Sequence, residues 1–256
     1  MNNLRVNSYS IVHYGRDFLS YSLASVSPLV DKSLIFYTPH PSHGHKVDIP
    51  PIESRDEIMS SIPSDQWQKL TWIDTDNFWQ EGRQRDYALS VASQDTDLVL
   101  NLDYDEIWPQ ETLANVIAYI WQANSARNWL LNFSVHFWRS FNYACKDENW
   151  PVRVIDTRHL DGLAYIPKEL GPVYHFGYAV SDDIMRYKWL CHGHKDELRP
   201  GWFEDKWQAW PPVEDCHPTN GRNDAGIGWW NPQPFDKNLL PPIMHGHPYF
   251  NEELIK

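Results

Sequence analysis

The residues most able to do chemistry in this chain are three acids in one short run, Asp103, Asp105 and Glu106, in the segment NLDYDEIWP. Carboxylates two residues apart point to the same face of an extended strand, and at a strand end a turn can bring both to one cation. Hard oxygen ligands of this kind suit Mg²⁺ or Mn²⁺. A cation so held can neutralise a departing diphosphate, with Glu106 left to bind water, orient the loop or contact a sugar. The bland reading is a set of surface carboxylates at a strand-to-helix turn. What raises the run above chance spacing is the stretch before it, residues 97–102 (DLVLNL), whose continuous apolar character is that of a strand covered on both faces.

The elements around the run follow the same logic. Residues 8–14, 33–37 and 70–73 read as strands, and 17–26, 54–62 and 81–92 as helices. Strands alternating with helices predict an open α/β sheet, in which ligands gather at the carboxyl ends of the strands. The acidic run stands at such an end. Beyond it, residues 109–119 read as a helix, 129–138 and 152–155 as strands, and 181–190 as a further helix. The Pro- and aromatic-rich tail reads as an ordered irregular arm, and the whole chain as one catalytic domain.

The segment NLDYDEIWP, together with IVHYGRDFLSYSLASVSPLVDKSLIFY near the start, resembles the glycosyltransferases of the GT-A fold, family-2-like members in particular. The similarity covers roughly residues 8–140. It implies a GT-A-like nucleotide-diphospho-sugar transferase fold, an open mixed sheet flanked by helices. Residues up to about 140 would hold the nucleotide sugar and metal, and those from 141 to 256 the acceptor. By that resemblance Asp103 and Asp105 belong to the metal and diphosphate site, with Mn²⁺ or Mg²⁺ as cofactor and Asp105 the more direct ligand. Tyr104 and the loop His13, Tyr14 and Gly15 would line the nucleotide pocket. Arg83 and Arg85 match positions where a basic residue approaches the phosphates; otherwise both are ordinary solvent-facing arginines. Asp74 or Asp76 would read a ribose or base edge. His245 and His247 are the candidates for a further metal ligand from the C-terminal part, His247 being favoured. The family's usual acidic catalytic-base motif is not evident, which leaves the stereochemical outcome open.

The second half carries other groups with chemical potential. His175 faces an acceptor or diphosphate on one reading and is a hydrogen-bonded core histidine on the other. Glu204 and Asp205, between Trp202 and Trp207, are candidate bases for an acceptor hydroxyl, as are Asp196 and Glu197. An aromatic surround would raise a carboxylate pKa and offer a sugar platform; a solvent-facing helix is the plainer alternative. Cys191, His192, His194, Cys216 and His217 suit zinc by atom type but lack a structural-site spacing, and His40, His43 and His45 form a loop cluster of the same weak kind.

Bulk properties narrow the partners. The net charge of -12 disfavours a nucleic-acid acceptor and anionic membranes. No run of about 18 apolar residues is present, and the first residues lack a signal-peptide stretch, so a cytoplasmic protein without a membrane span is expected. Three well-separated cysteines fit a reducing compartment. The 14 tryptophans serve core packing or ring stacking. By the resemblance the donor would be a nucleotide-diphosphate sugar; the acceptor is unspecified. The competing readings are a non-catalytic carbohydrate-binding protein, a metal-dependent nucleotidyltransferase or hydrolase, and a zinc hydrolase.

Overall fold

The structure is a computed structural model that describes residues 4–41, 49–75, 81–132, 135–145, 150–191, 198–211, 214–216, 218 and 231–256. Among the sequence-derived candidates, Asp76, His43, His45, His192, His194, Asp196, Glu197 and His217 lie outside the described residues. The chain forms two compact units, Met1–Asn132 with Trp150–Val173, and Phe133–Asn149 with Tyr174–Lys256.

The first unit is a mixed α/β open sheet. Its strands are β1 (Val6–Val12), β2 (Lys32–Tyr37), β3 (Leu70–Asp74), β4 (Leu98–Asn101), β6 (Asn128–Leu130), β9 (Val152–Asp156) and β10 (Leu163–Tyr165). They lie in the order β3-β2-β1-β4-β9-β6-β10. β1 pairs in parallel with β2 and β4, and β2 with β3, while β9 runs antiparallel to both β4 and β6. Alternation along the strands feeds two cores. Tyr9, Leu34, Phe36 and Val99 pack on Ala88 and Ala92 of α3 (Glu81–Ala92). Val12, Ile35 and Tyr37 pack on Leu19 and Leu23 of α1 (Leu19–Val26) and Ile58 of α2 (Arg55–Ser60). Successive side chains of a strand point to opposite faces, so helices must cover both, and the apolar runs of β2 and β4 are the sequence record of that. α2 starts at a capping box in which Ser54 and Glu57 satisfy each other's backbone N–H groups.

After β4 the chain turns through a two-residue strand β5 (Glu106–Ile107) into α4 (Gln110–Ala123). Pro109 precedes the first helical residue, and Asn124 closes α4 in the left-handed conformation at φ 45°. No described helix is long and apolar enough to cross a membrane.

Sequence reading joins residues 129–138 into one strand, and the structure corrects this. β6 ends at Leu130 in the first unit, while β7 (Val135–Trp138) belongs to the second. From Leu131 onward Asn132, Ser134 and His136 alternate with apolar residues as in one continuous strand, so the pattern hides the change of sheet.

The second unit is built on strands in the order β12-β8-β7-β11, with β8 (Tyr143–Cys145), β11 (Tyr174–Tyr178) and β12 (Gln233–Pro234). β7 and β11 are parallel, and β8 is antiparallel to β7 and β12. Its core is aromatic: Phe137 stacks on Phe176 at 4.4 Å, and Trp138 on Tyr178 at 5.7 Å. The tail is a series of short 3₁₀ turns.

One charge organises this unit. Arg139 is 3% exposed and sits in the left-handed region at φ 49°. Its Nη1 donates to the Trp207 carbonyl at 2.5 Å and its Nη2 to Asp182 at 2.7 Å, in the first turn of α5 (Asp182–Leu190). Its backbone N–H donates to Tyr178, and its carbonyl accepts from Ile255 near the C-terminus. Four segments therefore meet on one residue. Arg139→Met leaves the Trp207 carbonyl without its donor and Asp182, half-exposed, with the Trp207 indole, and it is expected to lower stability by about 2 kcal/mol in urea unfolding. A loss under about 1 kcal/mol would show that the aromatic core holds the unit without it.

Candidate functional site: the acidic turn

In a sheet ordered 3-2-1-4, the connections from β1 and β4 leave in opposite directions, and the crevice between their carboxyl ends is where open α/β sheets bind ligands. The acidic turn stands there. It is fixed by α1 at both ends: Ser22 Oγ donates to the Asp103 carbonyl at 3.1 Å, and Ser25 Oγ accepts from the Trp108 N–H at 3.2 Å. The turn closes on itself through the Glu106 N–H to the Asp103 carbonyl at 3.1 Å.

Its side chains are fixed by Arg153. Because β9 runs against β4, with Leu100 opposite Val154, the beginning of β9 lies beside the exit of β4. Arg153, 5% exposed, donates from Nη2 to Asp103 Oδ2 at 2.5 Å and from Nε to Glu106 Oε1 at 2.8 Å. Burial alone would lower its pKa, but Asp103 and Glu106 hold it above the ordinary value. Arg85 of α3 approaches the other Asp103 oxygen at 3.7 Å and bonds Asn101 at 3.2 Å. Arg85 is one-third exposed, so it is the guanidinium of the pair that solvent reaches. Arg83 is exposed on the same helix. Asp103 is partly exposed, whereas Asp105 and Glu106 are buried.

The loop after β1 packs on the same turn. Gly15 has φ 142°, and a Cβ there would lie 2.5 Å from Cδ2 of Tyr104. Only a residue without a side chain lets the loop approach this closely. Tyr14 meets Tyr104 edge to face at 5.5 Å, and His13 meets Tyr14 at 5.9 Å. His13 Nδ1 lies 2.8 Å from the Thr38 carbonyl; a carbonyl only accepts, so Nδ1 carries the proton. The Tyr104 hydroxyl is held well above its ordinary pKa, by burial first and then by Tyr14 and Asp105. The Gly15 and Arg16 N–H groups both donate to Glu53 Oε2, at 2.7 and 2.9 Å. Glu53 is a residue that sequence reading passed over, as it did Arg153. Burial raises its pKa, against the lowering effect of those two amides.

The other candidates are placed as follows. Asp74 pairs with Arg55 through two bonds, at 2.7 and 3.1 Å, and accepts from the Trp72 indole. Arg55 keeps its carboxyl below the usual range. In the second unit, Glu204 and Asp205 are exposed on a π-turn (Phe203–Trp207), whereas Trp202 and Trp207 are buried, so those indoles form core and not a sugar platform. His175 packs against His136 at 4.2 Å, an imidazole neighbour that strand pairing alone reveals. Cys191 donates to the Tyr187 carbonyl, and burial pushes its thiol up to about 11, which keeps it protonated. Cys145 and Cys216 are buried and unbridged too. His40 is exposed beside Thr38.

For a divalent cation, Asp103 and Asp105 offer hard oxygens in one turn, and phosphate and water would have to complete the shell. Among the described residues, no group of three or more His, Cys, Asp or Glu side chains is arranged to hold a metal. His247 is buried and accepts the Tyr249 N–H at Nδ1, so its neutral ring presents N–H at Nε2 and not a ligating lone pair. His245 is exposed and bonds the Leu240 carbonyl through Nε2, leaving Nδ1 as its basic nitrogen.

No family model matches the chain, and no curated protein matches it by sequence. Among solved structures, it is similar to TarS 1-349 from S. aureus, at 12% identity over 73% of this chain and 64% of that one, with a TM-score of 0.43. It is also similar to 4-diphosphocytidyl-2C-methyl-D-erythritol synthase from Anaerococcus prevotii, at 9% identity over 72% of this chain and 96% of that one, with a TM-score of 0.42. The chain thus spans about 64% of the TarS segment. At these values the likenesses assign neither an activity nor a ligand.

Two outcomes test this geometry. Because the folded pKa of Glu53 is raised, the unfolded chain ionises first as pH rises, so this residue's contribution to stability falls from its ordinary value upward until the folded carboxyl has ionised. Glu53→Gln keeps an acceptor and removes that decline, so its stability relative to wild type should improve between pH 4 and pH 8 in urea titrations. A constant difference across that range would remove Glu53 as a titrating group. Gly15→Ala should displace Tyr104 and cost about 2 kcal/mol of stability; no loss would show that the loop is not seated on the ring.

Proposed function

We propose that this chain is a nucleotide-diphospho-sugar transferase of the GT-A kind, moving a glycosyl group from a nucleoside-diphosphate donor to an acceptor hydroxyl. The observation that supports it is the placement of the acidic turn at the divergence of β1 and β4, with Arg85 open to solvent beside it. Arg85 offers a planar fork to phosphate oxygens. Asp103 and Asp105 would hold Mg²⁺ or Mn²⁺, which supplies charge neutralisation for the departing diphosphate.

In the transfer, the acceptor oxygen bonds to the anomeric carbon, the bond from that carbon to the phosphate oxygen breaks, and the nucleoside diphosphate leaves with the electron pair. The acceptor proton passes to a base, for which His175, Glu204 and Asp205 are the candidates from the second unit. His245 and His247 are the second unit's candidates for a metal ligand, His247 the less suited by its hydrogen bond. Arg153 acts through Asp103 and Glu106: its hydrogen bonds hold both carboxylates in place.

The test is release of nucleoside diphosphate from a panel of sugar nucleotides, with nucleoside triphosphates alongside. Slow release from one sugar nucleotide is expected, and Asp105→Asn should reduce it by on the order of 100-fold at an unchanged melting temperature. Release of pyrophosphate from a triphosphate would favour nucleotidyl transfer instead. Full activity of Asp105→Asn would remove the acidic turn from the mechanism.

A further inference from the structure

The outer edge of the seven-stranded sheet has no role in the account so far. β10 is its last strand, and among the described residues it pairs with β6 alone, in parallel. The Gly162 carbonyl accepts from the Asn128 N–H, and the Ile166 N–H donates to the Leu130 carbonyl. A strand residue directs its N–H and C=O to one side, and its neighbours direct theirs to the other. Ala164, between those two contacts, therefore faces β6, while Leu163 and Tyr165 turn both backbone groups to the open edge. Their side chains are open too: each is 58% exposed, and Leu160 just before them 94%. The register sets both on the face of Asn128 and Leu130, and Ala164 on the other face with Trp129. Edges are usually blunted by a charge or a proline within the strand. Here the middle is apolar, Leu-Ala-Tyr, and opposite charges stand beyond its two ends, Asp161 before and Lys168 after.

Such an edge is complementary to itself. With a second copy laid antiparallel about a two-fold axis at Ala164, Leu163 stands opposite Tyr165 of the second copy, and Tyr165 opposite its Leu163. Each of these pairs exchanges both backbone hydrogen bonds and sets an apolar side chain beside an aromatic one. Ala164 meets its own copy at the position where facing side chains come closest, which suits a small residue. Asp161 comes beside Lys168 of the second copy. Tyr165 is braced for the contact: its ring meets Trp150 edge to face at 5.3 Å, and Lys168 Nζ lies over Trp150 at 5.2 Å. Pro167 has no N–H to donate, so the ladder stops there and the register is fixed. The net charge of -12 makes most surfaces of two copies repel, but residues 160–168 carry one acid and one base. We propose that the chain forms a homodimer through antiparallel pairing of β10 with β10 of a second copy, joining two sheets across a two-fold axis. The contact is isologous and occupies this edge of both copies, so it closes at two.

The experiment is sedimentation of the full chain from about 1 μM to about 500 μM, the range in which a small interface associates, together with two kinds of variant. The wild-type mass should rise toward twice that of one chain. Leu163→Pro removes an outward N–H that β6 does not use, so it should weaken association by more than about tenfold at a melting temperature close to wild type. Ala164→Cys tests the register. Across the axis two such residues lie about 4.5 Å apart at Cα, within disulfide range, so mild oxidation should link two chains through that one position. Leu163→Cys, which faces Tyr165 and not its own copy, should link far less. The native Cys145, Cys191 and Cys216 are buried, so the cross-link reports the introduced thiol. A chain that stays monomeric throughout would overturn the proposal and leave the edge to another partner. A dimer that persists in Leu163→Pro, or that forms without the Ala164→Cys link, would place the contact elsewhere and overturn it as well.

Discussion

The first unit depends on one buried guanidinium. Arg153 carries a full charge out of water, and such a group is tolerated only with charged partners and good hydrogen bonds. It has both, in Asp103 and Glu106. The dependence runs the other way as well. Glu106 is fully buried, and Arg153 is the charged partner that a carboxylate there requires. The acidic turn can hold several carboxylates in one bend because a cation of the protein's own lies beneath it.

That arrangement follows from topology. A strand parallel to β4 would end where β4 ends, and its first residues would lie at the opposite edge of the sheet. The reversed β9 instead delivers its second residue to the exit of β4. Helix α1 contributes two serines one turn apart, which bracket the backbone of the turn, and Gly15 lets the β1 loop seat against Tyr104. Backbone, side chains and neighbouring loop are thus fixed by different elements, which is how a site gains precision without rigidity in any one loop.

Much of this was legible in the sequence, and what was not has physical reasons. The alternation of apolar runs and amphipathic helices up to Asn101 announces the open sheet, and a D-x-D run after a buried strand announces the turn. Arg153 was silent because its partners are about 50 residues away and its strand reads as an ordinary apolar run. Glu53 sits in a Pro-rich stretch with no periodic pattern, so nothing local marks it as the cap of Gly15 and Arg16. The residue types around Glu204 suggested an aromatic pocket, but composition cannot say whether an indole faces its neighbour or the core. The break between β6 and β7 hid in the same way, because Asn132 and Ser134 at that point alternate with apolar neighbours as they would in a single strand.

The most direct measurement is calorimetric titration of the wild-type chain and of Asp103→Ala and Asp105→Ala with nucleoside diphosphates, each with and without Mn²⁺. The account predicts that one diphosphate binds, that binding strengthens with Mn²⁺, and that both substitutions abolish the gain. Binding that is indifferent to Mn²⁺ and to both aspartates, or no binding to folded protein, would contradict it.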